Sequence, residues 1–143
     1  MTNRELLDRY VERYNAGDLE AVMELYAENA VQGMPDGVFE GKPAIRERLA
    51  QELAAVPDVT HTVVSFVDQG DAFCDEWTFE GTHTGGPLTL PNGEQLPATG
   101  KRVAVKGMEI VRVDEEGKIT LNTLYYDNLA VAMQLGLLEP ATI

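Results

Sequence analysis

Residues 101–113 form the longest run in the sequence that alternates regularly between two kinds of side chain. Alternation with a period of two is typical of a β-strand whose two faces meet different surroundings. One face carries Arg102, Lys106 and Arg112, and the other consists mainly of valine. Glu109 lies in the middle of the valine face, where an unpaired carboxylate is costly. The pattern predicts a carboxyl group at the floor of an apolar pocket; the alternative is a β-bulge that returns Glu109 to water.

The size and composition of the chain narrow the classes of protein to consider. A length of 143 residues predicts a single domain, residues 1–143, that is large enough for a hydrophobic core. The net charge of −13 argues against nucleic acid and anionic membranes as partners, because both attract basic surfaces. No apolar run is long enough for a membrane span, and the N-terminus lacks a signal peptide's apolar segment. A single cysteine makes a cytoplasmic location the simpler expectation.

Motifs for metal or cofactor binding are absent from the sequence. The two histidines, His61 and His83, are far apart, and no HExxH or CxxC spacing occurs. Neither a Walker motif nor a dinucleotide-binding glycine motif is present. We therefore expect no metal and no cofactor.

Apolar spacing predicts helices at both ends of the chain and strands between them. The helices are predicted at residues 3–16, 19–27, 44–55 and 128–135. A short strand is expected at 30–34, and residues 59–126 are predicted to form an antiparallel sheet. Residues 84–100 contain three prolines and four glycines and are predicted to be a loop that folds over a pocket mouth. This order predicts an α+β fold with the helices against one face of the sheet.

Several segments taken together resemble a known family. They are RYxxxxNAGDLEAVMELYAENA, FEGKPAIRE, GTHTG, PATGKRV, GMEIVRVDEEGKI and YYDNLAVAMQLGLL. Their combination is similar to the SnoaL-like polyketide cyclases, which share a superfamily with ketosteroid isomerase, limonene epoxide hydrolase and nuclear transport factor 2. The resemblance implies a cone, in which three N-terminal helices pack on a strongly curved, mostly antiparallel sheet followed by a short C-terminal helix. It also implies an apolar pocket inside the cone and a homodimer.

The resemblance also suggests roles for individual residues. In ketosteroid isomerase a tyrosine on the first helix and an acid on the long strand form the oxyanion hole, and these positions fall on Tyr10 and Glu109. The isomerase's general base precedes the proline of its first short strand, where this chain has Met34. The cyclases' acid/base, like one aspartate of the epoxide hydrolase, lies three residues before the aspartate of the final helix. That aspartate is Asp127, so the catalytic position is Leu124.

Other residues are candidates for contact with a ligand. Tyr14 and Trp77 are expected either to line the pocket or to fill the core. Asn122 has the same strand parity as Leu124 and is predicted to face inward. Asp75 shares a face with Trp77, which would place a second carboxylate inside, and His83 is expected at the pocket rim or bonded to the following loop.

Two classes of function are consistent with these residues. The first is a cofactor-independent cyclase or isomerase that acts on an apolar carbonyl compound, with Glu109 moving a proton or donating to an oxyanion with Tyr10. The second is a non-catalytic protein that binds an apolar small molecule, because Met34 and Leu124 replace the family's acid/base groups. An epoxide-hydrolase-like enzyme is a further alternative.

Overall fold

The computed structural model describes residues 1–90 and 92–138. Its helices are α1 (Asn3–Asn15), α2 (Leu19–Met23), α3 (Lys42–Ala55) and α4 (Asn128–Gln134). Its strands are β1 (Tyr26–Met34), β2 (Gly37–Glu40), β3 (Thr60–Asp68), β4 (Ala72–Thr82), β5 (Leu88–Thr89), β6 (Gln95–Leu96), β7 (Arg102–Val113) and β8 (Ile119–Tyr126). None of the helices among these residues combines the length and apolar character of a membrane span.

The main sheet has six strands in the order β2-β1-β8-β7-β4-β3. The pairs from β3 to β8 are antiparallel, as the alternating pattern predicts, whereas β1 and β8 are parallel. Helices α1 and α3 pack on the sheet and bury one apolar face each, which includes Leu6 and Leu7 of α1 and Ile45 and Leu49 of α3. The predicted α+β fold, with a curled and mostly antiparallel sheet, is therefore confirmed.

Side-chain caps mark where three of the helices begin. The side chains of Thr2, Asp18 and Asp127 each accept a hydrogen bond from a backbone N–H in the first turn of α1, α2 and α4. Such bonds satisfy donors that a helix leaves without partners.

The predicted helix at residues 19–27 is wrong in its second half. Helix α2 ends at Met23, and Tyr26 already belongs to strand β1. The reason is tertiary: Tyr26 pairs with Ile119 of β8 and is almost fully buried there. An apolar pair such as Leu25-Tyr26 is compatible with either a helix or a strand, and here the pairing with β8 stabilises the strand. Strand β2 was not predicted from the sequence; it pairs antiparallel with β1 after a two-residue turn.

The β-bulge alternative for Glu109 is also wrong. Strands β4 and β7 pair without interruption from Ala72–Arg112 to Thr82–Arg102, and Glu109 lies directly opposite Asp75. The shift between β7 and β8 occurs beyond Arg112, away from Glu109. Glu109 therefore keeps the inward orientation that the valine face predicts, and its exposure is 7%.

The segment after β4 is more ordered than a plain loop. Strands β5 and β6 form a small hairpin within it, and the backbone N–H groups of Gly85 and Gly86 donate to carbonyl oxygens at the end of α3. A Cβ on Gly85 would lie 1.8 Å from the carbonyl oxygen of Ala54, so this approach requires glycine. His83 is fully buried and bonds Gly86 and Thr99, which matches the prediction that it holds the following loop.

Candidate functional site

A cavity of about 280 Å³ lies between the concave face of the sheet and the helices. Strands β1, β3, β4, β7 and β8 supply one wall, and helices α1, α3 and α4 supply the other. Leu88 and Leu90 of the segment after β4 also line it, so that this segment covers part of the cavity. Most of the lining side chains are apolar, with polar groups at a few positions, which is typical of a small-molecule site.

The structure brings all seven of the predicted site residues to this cavity. They are Tyr10, Tyr14, Met34, Trp77, Glu109, Asn122 and Leu124. Their place in the wall is a geometric fact, and their roles in binding or catalysis stay predictions. Met34 and Leu124 put apolar groups where the resemblance places acids and bases, so the cavity lacks a proton-transfer group at both positions.

Trp77 depends on a glycine in the neighbouring strand. Trp77 pairs with Gly107, and a Cβ on Gly107 would lie 2.4 Å from Cζ2 of the indole. The indole therefore occupies the space above the bare backbone of β7, between Val105 and Glu109 on the concave face. This glycine explains how a large ring fits in the wall without pushing the strands apart.

One end of the cavity carries a hydrogen-bonded network around Glu109. Asn122 donates from Nδ2 to Oε2 of Glu109 at 3.4 Å, and its Oδ1 accepts from the Tyr26 hydroxyl at 3.5 Å. The hydroxyl oxygens of Tyr26 and Tyr10 are 2.8 Å apart, and Gln32 donates to the Tyr26 hydroxyl at 3.4 Å. All five side chains are buried or partly buried, so they form a polar patch in apolar surroundings.

Asp75 lies next to Glu109 on the neighbouring strand β4. The two residues are directly opposite in the β4–β7 pair, and Asp75 is only 2% exposed. Burial and the neighbouring Asp75 raise the pKa of Glu109 well above its usual range, and burial also raises the pKa of Asp75. Two carboxyl groups so close in an apolar site cannot both ionise easily, so the pair retains a proton. A hydrogen bond with Glu109 and the charge of Arg4 both act to lower the pKa of Asp75, so the retained proton is shared by the two carboxyl groups.

The tyrosines of this network are neutral donors. Burial raises the pKa of Tyr10 and of Tyr26 above the usual value, so both hydroxyls are neutral. With the Tyr26 hydroxyl donating to Asn122, the Tyr10 hydroxyl donates to Tyr26, and Tyr10 can donate to a bound molecule when Tyr26 donates to Tyr10 instead. Because Glu109 and Tyr10 line the cavity, this end can donate to an electronegative oxygen of a bound molecule.

A second polar group in the cavity wall, which adjoins the first where Tyr14 stacks on Tyr10, was not predicted from the sequence. Arg48 of α3 donates to Oδ2 of Asp36 at 2.7 Å and to Oε1 of Glu52 at 3.1 Å, while Tyr14 donates to Oε2 of Glu52 at 2.9 Å. We call Asp36, Arg48, Glu52 and Tyr14 the Arg48 cluster. All four residues line the cavity, and Tyr126 lies beside them, where burial raises its pKa to about 12. The i,i+4 pair of Arg48 and Glu52 was the only signal in the sequence, and such pairs usually lie on exposed helix faces.

Several buried polar atoms in the cavity wall have no hydrogen-bond partner among the described residues. They are Oε1 of Gln32, Oδ1 of Asp36, Nε2 of His61 and Nε1 of Trp77. His61 lies between the rings of Tyr14 and Trp77, and burial lowers its pKa to about 4, so it is neutral near pH 7. The sequence analysis missed His61 and Gln32 as wall residues.

No group of three or more histidine, cysteine, aspartate or glutamate side chains within residues 1–90 and 92–138 has the arrangement of a metal site. The expectation of a protein without metal or cofactor stays a prediction.

Comparisons with known proteins agree with the fold. The family model for the SnoaL-like domain matches residues 7–122. IdmH of Streptomyces antibioticus, a proposed polyketide cyclase, is 26% identical with a TM-score of 0.76, and the match covers 95% of this chain and 99% of IdmH. A proposed SnoaL-like polyketide cyclase from Jannaschia sp. CCS1 is 18% identical with a TM-score of 0.81, covering 97% and 93% of the two chains.

A third similar structure belongs to a protein with a different proposed activity. AclR of Streptomyces galilaeus, a proposed hydroxylase, is 21% identical with a TM-score of 0.80, and the match covers 97% of this chain and 83% of AclR. Among curated proteins, none matches the sequence significantly. The fold is therefore shared by proteins with different proposed activities. Because the family model spans most of its length, this chain belongs to the SnoaL-like domain family.

Proposed function

We propose that the protein binds an apolar carbonyl compound in the cavity and catalyses a proton-transfer reaction of the cyclase or isomerase kind. The observation that carries this proposal is the position of Glu109, which is buried in the wall of an apolar cavity beside Tyr10 and directly opposite Asp75. Burying a carboxyl group in an apolar site lowers the stability of a fold. In its neutral form, however, such a group can donate a hydrogen bond to the oxygen of an enolate. The likeness to IdmH supports the same reaction class.

The donors at the Glu109 end define the chemistry of the proposed step. When a proton leaves the carbon beside a carbonyl, negative charge develops on the carbonyl oxygen. Glu109 and Tyr10 would donate hydrogen bonds to that oxygen, and these bonds strengthen as the charge grows. The stabilisation would come from fixed donors of the protein in a mostly apolar cavity.

A ligand screen followed by a single substitution tests the proposal. Cyclic ketones, polyketide mimics and epoxides would be screened by displacement of a fluorescent dye, and ligands that bind would be assayed for turnover. We expect Glu109→Leu to bind the same ligands and to lower turnover by about 100-fold, as for loss of one oxyanion donor, because leucine cannot donate a hydrogen bond. Glu12→Leu is the matched control, since Glu12 is exposed on α1. Equal turnover in the Glu109→Leu variant and the unmodified protein would contradict the proposal.

A non-catalytic binding protein is the second candidate. It is favoured by one observation, the apolar side chains of Met34 and Leu124 in the cavity wall. Binding of ligands from the same screen without any turnover, in the unmodified protein and the variant alike, supports this candidate. Turnover of the epoxides alone would instead support the epoxide-hydrolase-like alternative.

We also propose that the protein forms a homodimer through the outer face of the sheet. Met108 and Tyr125 are directly paired on that face and are 42% and 55% exposed. Val67, Cys74 and Ile110 form a neighbouring apolar row across three strands. Light scattering after gel filtration is expected to give twice the chain mass, and Met108→Glu should shift it towards the monomer through like charges. A monomer at all concentrations would contradict this proposal. The cytoplasmic location stays a prediction.

A further inference from the structure

Trp77, the single tryptophan of the chain, is held in one place in the cavity wall. It lies in the middle of β4 and is 4% exposed. The ring of His61 on β3 meets the indole at 75° with the centroids 5.3 Å apart, and the ring of Tyr126 on β8 meets it at 62° and 6.0 Å. Edge-to-face contacts of this kind are favourable. The indole therefore cannot turn aside without losing a contact to one of its neighbours.

Gly107 determines how close the indole lies to the sheet. Trp77, Gly107 and Tyr126 are paired in one row across β4, β7 and β8. A Cβ on Gly107 would lie 2.4 Å from Cζ2 and 2.5 Å from Cη2 of the indole, which is closer than two carbon atoms can approach. Glycine weakens a strand and often marks the place where another group approaches the backbone. Any other residue at position 107 would push the indole away from β7 and into the cavity.

The indole contributes its volume to the wall and no hydrogen bond. Its Nε1 is buried and has no acceptor among the residues that the structure describes. A buried tryptophan usually finds a partner for this group. The space that the ring fills is therefore what Trp77 supplies to the cavity.

The position of the ring along β7 places it in the part of the cavity that leads to Glu109. Val103, Val105, Gly107 and Glu109 follow one another on the concave face of β7, at intervals of about 7 Å. The indole covers the third of these positions. A molecule that extends from the two valines towards Glu109 must therefore fit between the indole and the helices on the other side of the cavity.

We propose that Trp77, seated on Gly107, is the residue that determines the size of the ligand. The height of the indole above β7 sets the depth of the cavity beside Glu109, so that a larger apolar ring system is accepted only when the indole is removed. This inference deepens the proposed function and rests on its binding step alone. A tryptophan that merely fills the core would affect stability without changing which ligands bind.

Two fluorescent phenols that differ in their number of fused rings test this assignment. They are 2-naphthol, with two rings, and 1-hydroxypyrene, with four. Dissociation constants for both would be measured by fluorescence titration with Trp77→Leu, Gly107→Ala and the variant that carries both substitutions. Phe66→Leu is the matched control, because Phe66 is a partly buried aromatic residue on β3 that packs on Phe73, outside the wall of the described cavity.

We expect Trp77→Leu to shift the ratio of the two affinities towards 1-hydroxypyrene by about tenfold or more, because the space of the indole is opened. Gly107→Ala should shift the ratio the other way by about tenfold, because the new Cβ raises the indole into the cavity. In the Trp77→Leu background the same substitution should change the ratio by less than about threefold, since the ring that it meets is gone. Phe66→Leu should leave the ratio unchanged.

An unchanged ratio in Trp77→Leu, or equal effects of Gly107→Ala in both backgrounds, would overturn the role of Trp77 and leave the proposed function standing. Circular dichroism would establish that each variant is folded. If Trp77→Leu does not fold, Trp77→Phe replaces it, and a ratio that does not move towards 1-hydroxypyrene would likewise overturn the assignment. Failure of the unmodified protein to bind either phenol would instead count against the proposed function itself, and this inference would fail with it.

Discussion

The two polar ends of the cavity hold their buried carboxyl groups in different ways. At one end, Glu109 and Asp75 are directly opposite each other, and neither forms a salt bridge with a cation of the described residues. At the other end, Asp36 and Glu52 share the guanidinium of Arg48. The first pair avoids buried charge by retaining a proton, and the second compensates it with a counter-ion.

This difference gives the two ends different charge states. The pair of Glu109 and Asp75 shares one retained proton, while Asp36 and Glu52 are held beside a cation. Burial lowers the pKa of Arg48, but the charges of Glu52 and Asp36 outweigh this effect and leave its pKa raised, so the guanidinium stays charged. The wall of a single apolar cavity thus holds one carboxyl pair through a shared proton and the other through a shared cation.

The largest expected effect comes from removing the shared cation. Arg48→Met leaves Asp36 and Glu52 without a counter-ion in a largely buried site, and we expect the free energy of unfolding to fall by about 3–5 kcal/mol. Denaturation by guanidinium chloride at pH 7 would measure the loss. Adding Glu52→Gln to the variant should recover part of it, because one of the two uncompensated charges is then removed.

Arg46→Met is the control for this experiment, because Arg46 is on the same helix and pairs with Glu20 at the exposed surface. For Arg46→Met, we expect the free energy of unfolding to fall by less than about 1 kcal/mol. Equal losses for the two variants would mean that the Arg48 cluster is no more dependent on its cation than a surface pair. The contrast between the two ends would then lose its basis.

The Glu109 end could be predicted from the sequence, because it depends on local parity. Strand β7 keeps its register against β4 along its whole length, so the alternation of residues 101–113 carries directly into three dimensions. The same parity placed Asn122 and Leu124 in the cavity wall and raised the possibility that Asp75 lies inside. Periodicity is reliable where a strand is long and regular.

The Arg48 end depends on tertiary contacts that no local pattern encodes. Pro35-Asp36-Gly37 is a typical turn sequence, and the pair of Arg48 and Glu52 has the spacing of an exposed helix face. The tertiary fold brings this turn into contact with α3, through the hydrogen bond from Arg48 to Asp36, and places both residues in the cavity wall. Tyr26 was misplaced for a similar reason, since its pairing with β8 is a contact between distant parts of the chain.

The smaller expected effect is the change in the free energy of unfolding caused by Glu109→Gln. This change should depend on pH, because it reflects the proton that Glu109 retains in the folded protein. Below the unfolded pKa of about 4.3, the carboxyl group is protonated in both the folded and the unfolded protein. As pH rises above this value, the unfolded chain releases the proton while the folded protein retains it, so stability falls until the raised folded pKa is reached. Glutamine has no proton to lose. We therefore expect Glu109→Gln to have similar stability to the unmodified protein at pH 5 and to be more stable than the unmodified protein at pH 8.

Denaturation curves at pH 5 and pH 8 would measure this difference between the two proteins. The matched control is Glu12→Gln, which changes an exposed acid on α1. Its effect on stability should stay within about 0.5 kcal/mol at both pH values, because surface substitutions of this kind have small effects. A Glu109→Gln difference that does not grow with pH would show that Glu109 is ionised in the folded protein. Both ends of the cavity would then hold charged carboxylates, and the donor role of Glu109 would fail with the comparison.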